Sequence, residues 1–160
     1  MSNSYIKIET QSNIENLAPI RLCLSTFFSN MKIHIDELVD IKTAISEAVS
    51  NALDHAYENE DGKVEVTGEI IDNLVKITVR DFGNGIEDIS LAMTPAYTTK
   101  AEEEHAGMGF TIMESFMDEV IVDSKVDEGT TVVLTRKIRE RISNSWYLKK
   151  ANIFAFFSVL

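Results

Sequence analysis

Hydrophobic residues in the first half of the chain recur at steps of three and four, the spacing of one face of an α-helix. This apolar stripe comprises Leu38, Ile41, Ile45, Val49, Ala52 and Ala56. Glu47, Asn51 and His55 follow one another at steps of four and therefore lie along a different side of the same helix. The small residues Ala44 and Ala48 run beside this polar row, so we predict a shallow depression there that a ligand can contact. Considered alone, such a row also fits a solvated helix face.

Two kinds of periodicity predict the remaining elements. Apolar and polar residues alternate in five segments, which predicts β-strands at residues 4–10, 63–71, 74–80, 119–124 and 130–135. A hairpin turn at residues 72–73 joins the second and third of these strands. Helical spacing predicts three helices: one that begins at about Asn16, one that Asp36 caps and that ends near residues 59–62, and one that begins after Gly109.

The order of these elements predicts an α/β sandwich, in which one mixed sheet carries helices on a single face. Residues 86–105 lack either periodicity and predict a mobile loop, and a loop of this length in a compact domain usually has a function. We expect a ligand to lie between the helix layer and this loop.

Composition limits the classes of function. The chain has 160 residues, of which 44% are hydrophobic, so it can bury one core and form one domain. Its 26 acidic residues exceed its 15 basic ones, and a net charge of -11 opposes direct binding to nucleic acid. The single cysteine, Cys23, lies in an apolar helical pattern and predicts a buried structural thiol in a reducing cytoplasm. The N-terminal residues show no secretion signal.

The last part of the sequence differs from the rest, so we expect a domain at residues 1–138 and a C-terminal tail at 139–160. The tail contains Trp146 and Tyr147, then two lysines, and it ends in an apolar run that is too short to span a bilayer. Three interpretations stay open for it: packing on the domain surface, an anchor for a partner or a membrane surface, and a non-native extension. We expect no membrane insertion.

Two glycine-containing segments follow the Glu47 helix: Asp-Phe-Gly-Asn-Gly at 81–85 and Gly-Met-Gly-Phe at 107–110. Each alone fits an ordinary turn. Together with residues 47–57, and in this order, they resemble the N, G1 and G2 boxes of the GHKL ATP-binding proteins, which include gyrase, MutL and histidine kinases. Residues 95–100 and 107–114 closely resemble one branch, the anti-sigma-F factors of spore-forming bacteria, which are small serine kinases. The resemblance spans about residues 4–138.

The resemblance implies a GHKL (Bergerat) ATP-binding fold, with a mixed, mostly antiparallel sheet, and it implies ATP and Mg²⁺ as ligands. Asn51 resembles the residue whose side-chain oxygen binds Mg²⁺, and His55 is implied near the phosphates. Glu47, one turn earlier, resembles the general base that takes a proton from the attacking serine. Asp81 resembles the carboxylate that accepts a hydrogen bond from the adenine amino group, which favours ATP over GTP because guanine presents an oxygen there.

The same resemblance assigns the rest of the nucleotide site. It implies that Gly83 and Gly85 let the backbone approach the base, and that Thr130 contacts the region near adenine, although a sheet threonine without this role also fits. It places the triphosphate at the start of a helix formed by Gly107, Met108, Gly109 and Phe110, where free N–H groups favour phosphate. It implies a lid over the triphosphate formed by Thr98, Thr99 and Lys100, with Lys100 as a partner for the terminal phosphate.

The family also implies a switch between two protein partners. An ATP-bound homodimer, with the first strand and helix as its interface, holds sigma F of sporulation away from RNA polymerase. An anti-anti-sigma factor competes for the kinase and is phosphorylated on serine. Arg21 matches a partner-contacting arginine, while a surface arginine without a role also fits.

Four other functions stay open. The chain can also be an anti-sigma kinase for a stress-response sigma factor, because only the closer resemblance of the sequence to the anti-sigma-F factors separates the two. A histidine-kinase ATPase module fits less well, because no helix with a phosphoacceptor histidine precedes the domain and His34 lies in a predicted loop. A non-catalytic, nucleotide-dependent binding module would not need Glu47. A structural domain without a ligand would not be stabilised by Mg·ATP.

Overall fold

The structure is a computed structural model that describes residues 3–57, 62–94 and 108–139. The strands are β1 (Ser4–Gln11), β2 (Lys63–Ile71), β3 (Leu74–Asp81), β4 (Glu119–Lys125) and β5 (Gly129–Lys137). The α-helices are α1 (Leu17–Phe28), α2 (Ile35–Asp54), α3 (Ile89–Ala92) and α4 (Gly109–Phe116), and a 3₁₀ turn at Ile14–Asn16 precedes α1. None of the helices in these ranges is both long and apolar enough to cross a membrane.

The strands form one sheet in the order β1-β2-β3-β5-β4, and all neighbouring strands described in it are antiparallel. The predicted sandwich is confirmed, because α1, α2 and α4 pack on this sheet. The apolar stripe of α2 forms the centre of the core, where Ile41, Ile45 and Val49 are fully buried. Alternate residues of β2 and β3 face this stripe and are buried with it, as period-two patterning requires.

Charged side chains cover the other face of β1 and β2. Glu65 lies 2.7 Å from Lys63 Nζ and 2.8 Å from Lys7 Nζ. These hydrogen bonds, first from Lys63 and then from Lys7, lower the pKa of Glu65 to about 2. The predicted hairpin turn is also confirmed: Ile71 pairs with Leu74, and Asp72 takes the left-handed backbone conformation with φ 55°.

Three predictions about the helices are wrong. The N-cap of α2 is His34, so Asp36 lies within its first turn and does not cap it. The helix ends at Asp54, before residues 59–62, because Ala56 and Tyr57 turn away to bond with the segment that follows β3. Cys23 is exposed, because it lies one position away from the buried stripe of α1, which consists of Ile20, Leu24 and Phe28.

The predicted loop after residue 86 contains a short helix, α3. Asp88 caps it, since its side chain accepts the Leu91 N–H at 2.9 Å. Residues 95–107, which include most of the predicted loop, lie outside the described ranges.

Candidate functional site

A cavity of about 460 Å³ lies between α2, α4, the end of β3, the start of β5, and the segment that follows β3. Seven of the predicted site residues line it: Asn51, His55, Asp81, Gly85, Gly109, Phe110 and Thr130. Ala48 lines it as well, which confirms part of the predicted depression on α2. Ala44 does not, because it is fully buried on the helix.

One end of the cavity, here called the Asp81 end, contains a buried carboxylate. Asp81 is only 5% exposed. Its Oδ1 accepts the Gly83 N–H at 3.0 Å and the Thr130 N–H at 3.1 Å, while Oδ2 takes part in neither bond. Burial raises the pKa of Asp81, and backbone hydrogen bonds from Gly83, Thr130 and Asp81 itself oppose this shift. The arrangement therefore fixes the orientation of the carboxyl group and leaves Oδ2 as an acceptor for a ligand.

Two glycines bring the backbone after β3 close to its neighbours. A Cβ at Gly83 would lie 1.8 Å from the Ala56 carbonyl oxygen, and one at Gly85 would lie 2.1 Å from the Lys125 carbonyl oxygen. Gly85 also has φ 70°, which disfavours other residues. The Asn84 N–H donates to the Ala56 carbonyl at 2.8 Å. Any side chain at Gly83 would therefore push this wall of the cavity away from the residues after α2, and any side chain at Gly85 would push it away from the β4–β5 turn.

Tyr57 supports the same wall and was missed by the sequence reasoning. Its hydroxyl accepts the Phe82 N–H at 2.8 Å and donates to the Lys63 carbonyl. It thereby joins the chain after α2 to the start of β2 and the end of β3. No periodicity marks this role, because it depends on contacts between separate parts of the chain.

The opposite end of the cavity, here called the Gly109 end, is the start of α4. A Cβ at Gly109 would lie 3.2 Å from Glu47 Oε2, 3.4 Å from Asn51 Nδ2 and 3.6 Å from Asn51 Oδ1. The first N–H groups of a helix lack partners within it, and the helix dipole favours an anion at this position. The structure thus brings a carboxylate, an amide and a helix N-terminus together at one point.

Several predicted residues have other positions. Glu47 is half-buried beside Gly109 and does not belong to the cavity lining, and Gly83 contributes through its bond to Asp81. Met108 is the N-cap of α4, and Arg21 is half-buried on α1, away from the lining. Four predicted residues lie outside the described ranges: Thr98, Thr99, Lys100 and Gly107.

The cavity also has lining residues that were not predicted individually, although the loop after residue 86 was expected to lie over a ligand. They come from the segment after β3 and from apolar positions of α2, β3 and β5. These residues are Ala52, Ala56, Val79, Asn84, Ile86, Glu87, Asp88, Leu91, Ala92 and Val132. The lack of periodicity after residue 86 indicated a loop beside the ligand, but not which of its residues line the cavity.

The chemistry of the lining suits a metal that arrives with phosphate better than one held by protein alone. In the described ranges, no group of three or more His, Cys, Asp or Glu side chains could hold a metal ion. Asn51 offers an amide oxygen at the Gly109 end, and Mg²⁺ usually binds few protein oxygens and completes its shell with phosphates and water. The residues present therefore fit a magnesium–nucleotide complex.

Comparison with known proteins agrees with this geometry. Residues 10–136 match the family model of the histidine kinase-like ATPase domain. The chain is similar in structure to the RsbU and RsbW domains of a Mycobacterium tuberculosis protein, with a TM-score of 0.60 and 22% identity over 84% of this chain and 32% of that one. It is also similar to the catalytic domain of histidine kinase ThkA, with a TM-score of 0.52 and 19% identity over 86% and 99% of the two chains. The fold and the site define a histidine kinase-like ATPase domain.

Relatives of higher identity narrow this class. The anti-sigma F factor of Caldanaerobacter subterraneus is 44% identical over 136 residues, which cover 85% of this chain and 95% of the relative. The anti-sigma F factor of Geobacillus kaustophilus is 48% identical over 132 residues, which cover 82% and 90%. That of Clostridium beijerinckii is 46% identical over 138 residues, which cover 86% and 96%. The chain belongs to the anti-sigma F factor family.

Proposed function

We propose that this chain is an ATP-dependent protein-serine kinase and an anti-sigma factor, which binds a sporulation sigma factor and phosphorylates its anti-anti-sigma factor on serine. Membership of the anti-sigma F factor family supports the partner class. The observation that carries the kinase proposal is the meeting of Glu47 and Asn51 with the start of α4 at one end of a cavity whose other end contains Asp81.

At the Gly109 end, these groups suit phosphoryl transfer. Glu47 accepts the proton of the substrate serine hydroxyl as the serine oxygen bonds to the γ-phosphorus, and the bond from this phosphorus to the bridging oxygen of ADP breaks. The start of α4 binds phosphate oxygens. Asn51 would hold Mg²⁺, which would neutralise charge on the phosphates. We also assign Gly107, Met108 and Phe110 to this phosphate-binding segment.

At the Asp81 end, the arrangement suits adenine. Oδ2 of Asp81 accepts a hydrogen bond from the adenine amino group, and Thr130 lies beside it. Gly83 and Gly85 allow the backbone to come close to the base. Guanine carries a carbonyl oxygen in place of the amino group. Its binding would bring this oxygen against Asp81 Oδ2, and because both are hydrogen-bond acceptors, guanine is disfavoured.

Other assignments complete the nucleotide site. His55 is exposed at the C-terminal end of α2 and lines the cavity, which supports its assignment near the triphosphate. Thr98, Thr99 and Lys100 are proposed as a lid over the phosphates. Lys100 then supplies a positive charge, which the cavity needs because its described lining contains no lysine or arginine.

The partner proposals concern α1 and β1. Arg21 is proposed to contact the sigma or anti-anti-sigma factor, and no described residue forms an ion pair with it. A homodimer through β1 and α1 is supported by the position of β1 at the edge of the sheet that the structure describes, because an edge strand can pair with another strand. We place the protein in the cytoplasm, where its proposed partners act.

The kinase proposal is tested with the full chain, Mg·ATP and the cognate anti-anti-sigma factor. The variant is Glu47→Gln, which keeps the size of the side chain and removes the base. The control is Glu114→Gln on the exposed side of α4. We expect phosphoserine with the native chain and the control, and a loss of at least 100-fold in rate with Glu47→Gln. ATP affinity, measured by calorimetry, should change little in either variant.

Each result bears on a different part of the proposal. If the native chain binds Mg·ATP but forms no phosphoserine on the partner, a binding module replaces the kinase. If Glu47→Gln retains the native rate, Glu47 is not the base. If the phosphorylated partner is a stress-response rather than a sporulation anti-anti-sigma factor, the kinase stands and the sigma class changes.

A further inference from the structure

The hydroxyl group of Ser124, on β4, joins three groups that bound the Asp81 end of the cavity. It accepts the Ile86 N–H at 2.8 Å, lies 2.8 Å from Thr130 Oγ1, and lies 3.2 Å from the Gly129 carbonyl oxygen. Ser124 is half-buried and does not line the cavity itself. It can therefore influence a ligand only through its neighbours, of which Ile86 and Thr130 do line the cavity.

The number of hydrogen-bonding sites on a serine hydroxyl restricts how these contacts are made. A hydroxyl has one proton to donate and two lone pairs that accept. All three contacts are hydrogen bonds in one arrangement: Ile86 N–H and Thr130 O–H donate to Ser124, and Ser124 donates to the Gly129 carbonyl. In this arrangement the Thr130 proton points at Ser124, so Thr130 presents only lone pairs to the cavity.

Thr130 is also tied to the carboxylate. Its N–H donates to Asp81 Oδ1 at 3.1 Å, and the preceding Gly129 is tightly packed, since a Cβ there would lie 2.3 Å from the Asp81 carbonyl oxygen. The bonds thus run from Asp81 through Thr130 to Ser124, and from Ser124 to the wall that begins after β3. Thr130 lines the cavity, and with its proton held by Ser124 its Oγ1 can act there only as an acceptor, as Asp81 Oδ2 does.

We propose that Ser124 is a positioning residue for base selection, which turns the Thr130 proton away from the cavity so that this end favours a ligand with an amino group over one with a carbonyl oxygen. The proposal rests on the proposed binding of a nucleotide. It adds a second determinant of adenine selectivity beside Asp81. Without the Ser124 hydroxyl, the Thr130 hydroxyl is free to rotate and to donate to a carbonyl such as that of guanine.

The test compares the affinities of the full chain for Mg·ATP and Mg·GTP by calorimetry. Ser124→Ala removes the hydroxyl, and Ser124→Thr keeps it on a residue that suits a strand. Ser29→Ala is the matched control, because the Ser29 hydroxyl bonds to the Thr26 carbonyl at the end of α1, away from the cavity. We expect Ser124→Ala to lower the ATP-to-GTP affinity ratio about tenfold, because Thr130 Oγ1 would no longer favour a donor over an acceptor, and one hydrogen bond has about this effect. Ser124→Thr and Ser29→Ala should retain the native ratio.

A second comparison separates selectivity from a general loss of structure. In a Thr130→Val background the hydroxyl that Ser124 orients is absent, so adding Ser124→Ala should leave the selectivity ratio unchanged. A native selectivity ratio in Ser124→Ala would overturn the role of Ser124. An equal effect of Ser124→Ala in the native and Thr130→Val backgrounds would do the same. A native chain that binds neither nucleotide would overturn the proposed function instead.

Discussion

At the scale of single residues, Asp81 has the most unusual environment described in the site. Its carboxyl group is buried, and backbone N–H groups, chiefly those of Gly83 and Thr130, compensate in part for the lost contact with water. Burial raises its pKa because an ionised carboxylate is less stable away from water. A group of this kind lowers stability when it is charged, which supports the proposed role of Asp81 in binding.

The pH dependence follows from the direction of this shift. An acid whose pKa is raised by folding binds its proton more tightly in the folded state. Its stabilising contribution is complete below the unfolded pKa, about 3.9, and is lost as pH rises through the folded pKa. We expect Asp81→Asn, which cannot ionise, to gain in free energy of unfolding relative to the native chain as pH rises from about 4 to 7. Urea denaturation across this range measures the difference.

Nucleotide binding should change in the opposite direction. Asp81→Asn replaces an acceptor with an amide that can present a donor to the adenine amino group, so ATP affinity should fall about 10- to 100-fold. Asp123→Asn, at an exposed position of β4, is the control for both measurements. A stability difference that does not vary with pH would contradict the assigned pKa shift, and unchanged ATP affinity would contradict the role in base recognition.

At the scale of elements, we propose that the glycine at the start of α4 serves binding at the expense of helix stability. Alanine is the better helix former, so Gly109→Ala should leave the melting temperature unchanged or raise it. The added Cβ would lie 3.2 Å from Glu47 Oε2 and would narrow the space beside Asn51. We therefore expect ATP affinity to fall roughly tenfold, as for one displaced phosphate contact. Thermal melting and calorimetry measure the two effects.

Ser115→Ala is the control for this change. It also replaces a small residue of α4 with alanine, but its hydroxyl bonds to the Thr111 carbonyl on an exposed part of the helix. The control should bind ATP with native affinity. If Gly109→Ala also does so, phosphate does not approach the helix at this position.

Helices and strands could be predicted where the spacing of apolar residues along the chain matches the face that is buried. The stripe through Ile41, Ile45 and Val49 located α2, because one face of that helix forms the core. The end of α2 could not be predicted, since it depends on bonds from Ala56 and Tyr57 to residues about 25 positions later. The order of the glycine motifs indicated both ends of the cavity. The wall between them has no period, and Ser124, 38 positions away from Ile86, helps to hold it.

At the scale of the whole molecule, charge poses a problem for the proposed ligand. The chain has a net charge of -11, and the described lining includes Asp81, Glu87 and Asp88 but no lysine or arginine. A triphosphate in this cavity would be repelled unless other groups compensate. The start of α4 provides part of this compensation, and Mg²⁺ and Lys100 are the proposed remainder. We therefore expect ATP to bind only when Mg²⁺ is present, whereas adenosine, which carries no phosphate, should bind without it.

The boundary of the domain can be tested by truncation. Ile138 is buried, and its N–H donates to the Asn73 carbonyl at 2.7 Å, while the Arg139 N–H reaches Glu37 Oε1 at 3.4 Å. A chain that ends after Arg139 keeps each of these contacts, so its melting temperature should lie within about 2 °C of the full chain if residues 1–138 form the domain. A chain that ends after Lys137 loses a buried isoleucine, at a cost of about 2–3 kcal/mol. At about 3 °C per kcal/mol for a chain of this size, its melting temperature should fall by about 6–9 °C.

The two truncations test whether the C-terminal tail packs on the domain surface. Calorimetric melting of both shortened chains, at equal concentration and without nucleotide, provides the comparison. If removal of residues 140–160 lowers the melting temperature as much as the longer truncation does, the tail packs on the domain surface and the boundary at residue 138 is wrong. If only the longer truncation is destabilised, Ile138 completes the core, and any function of the tail lies outside the stability of the domain.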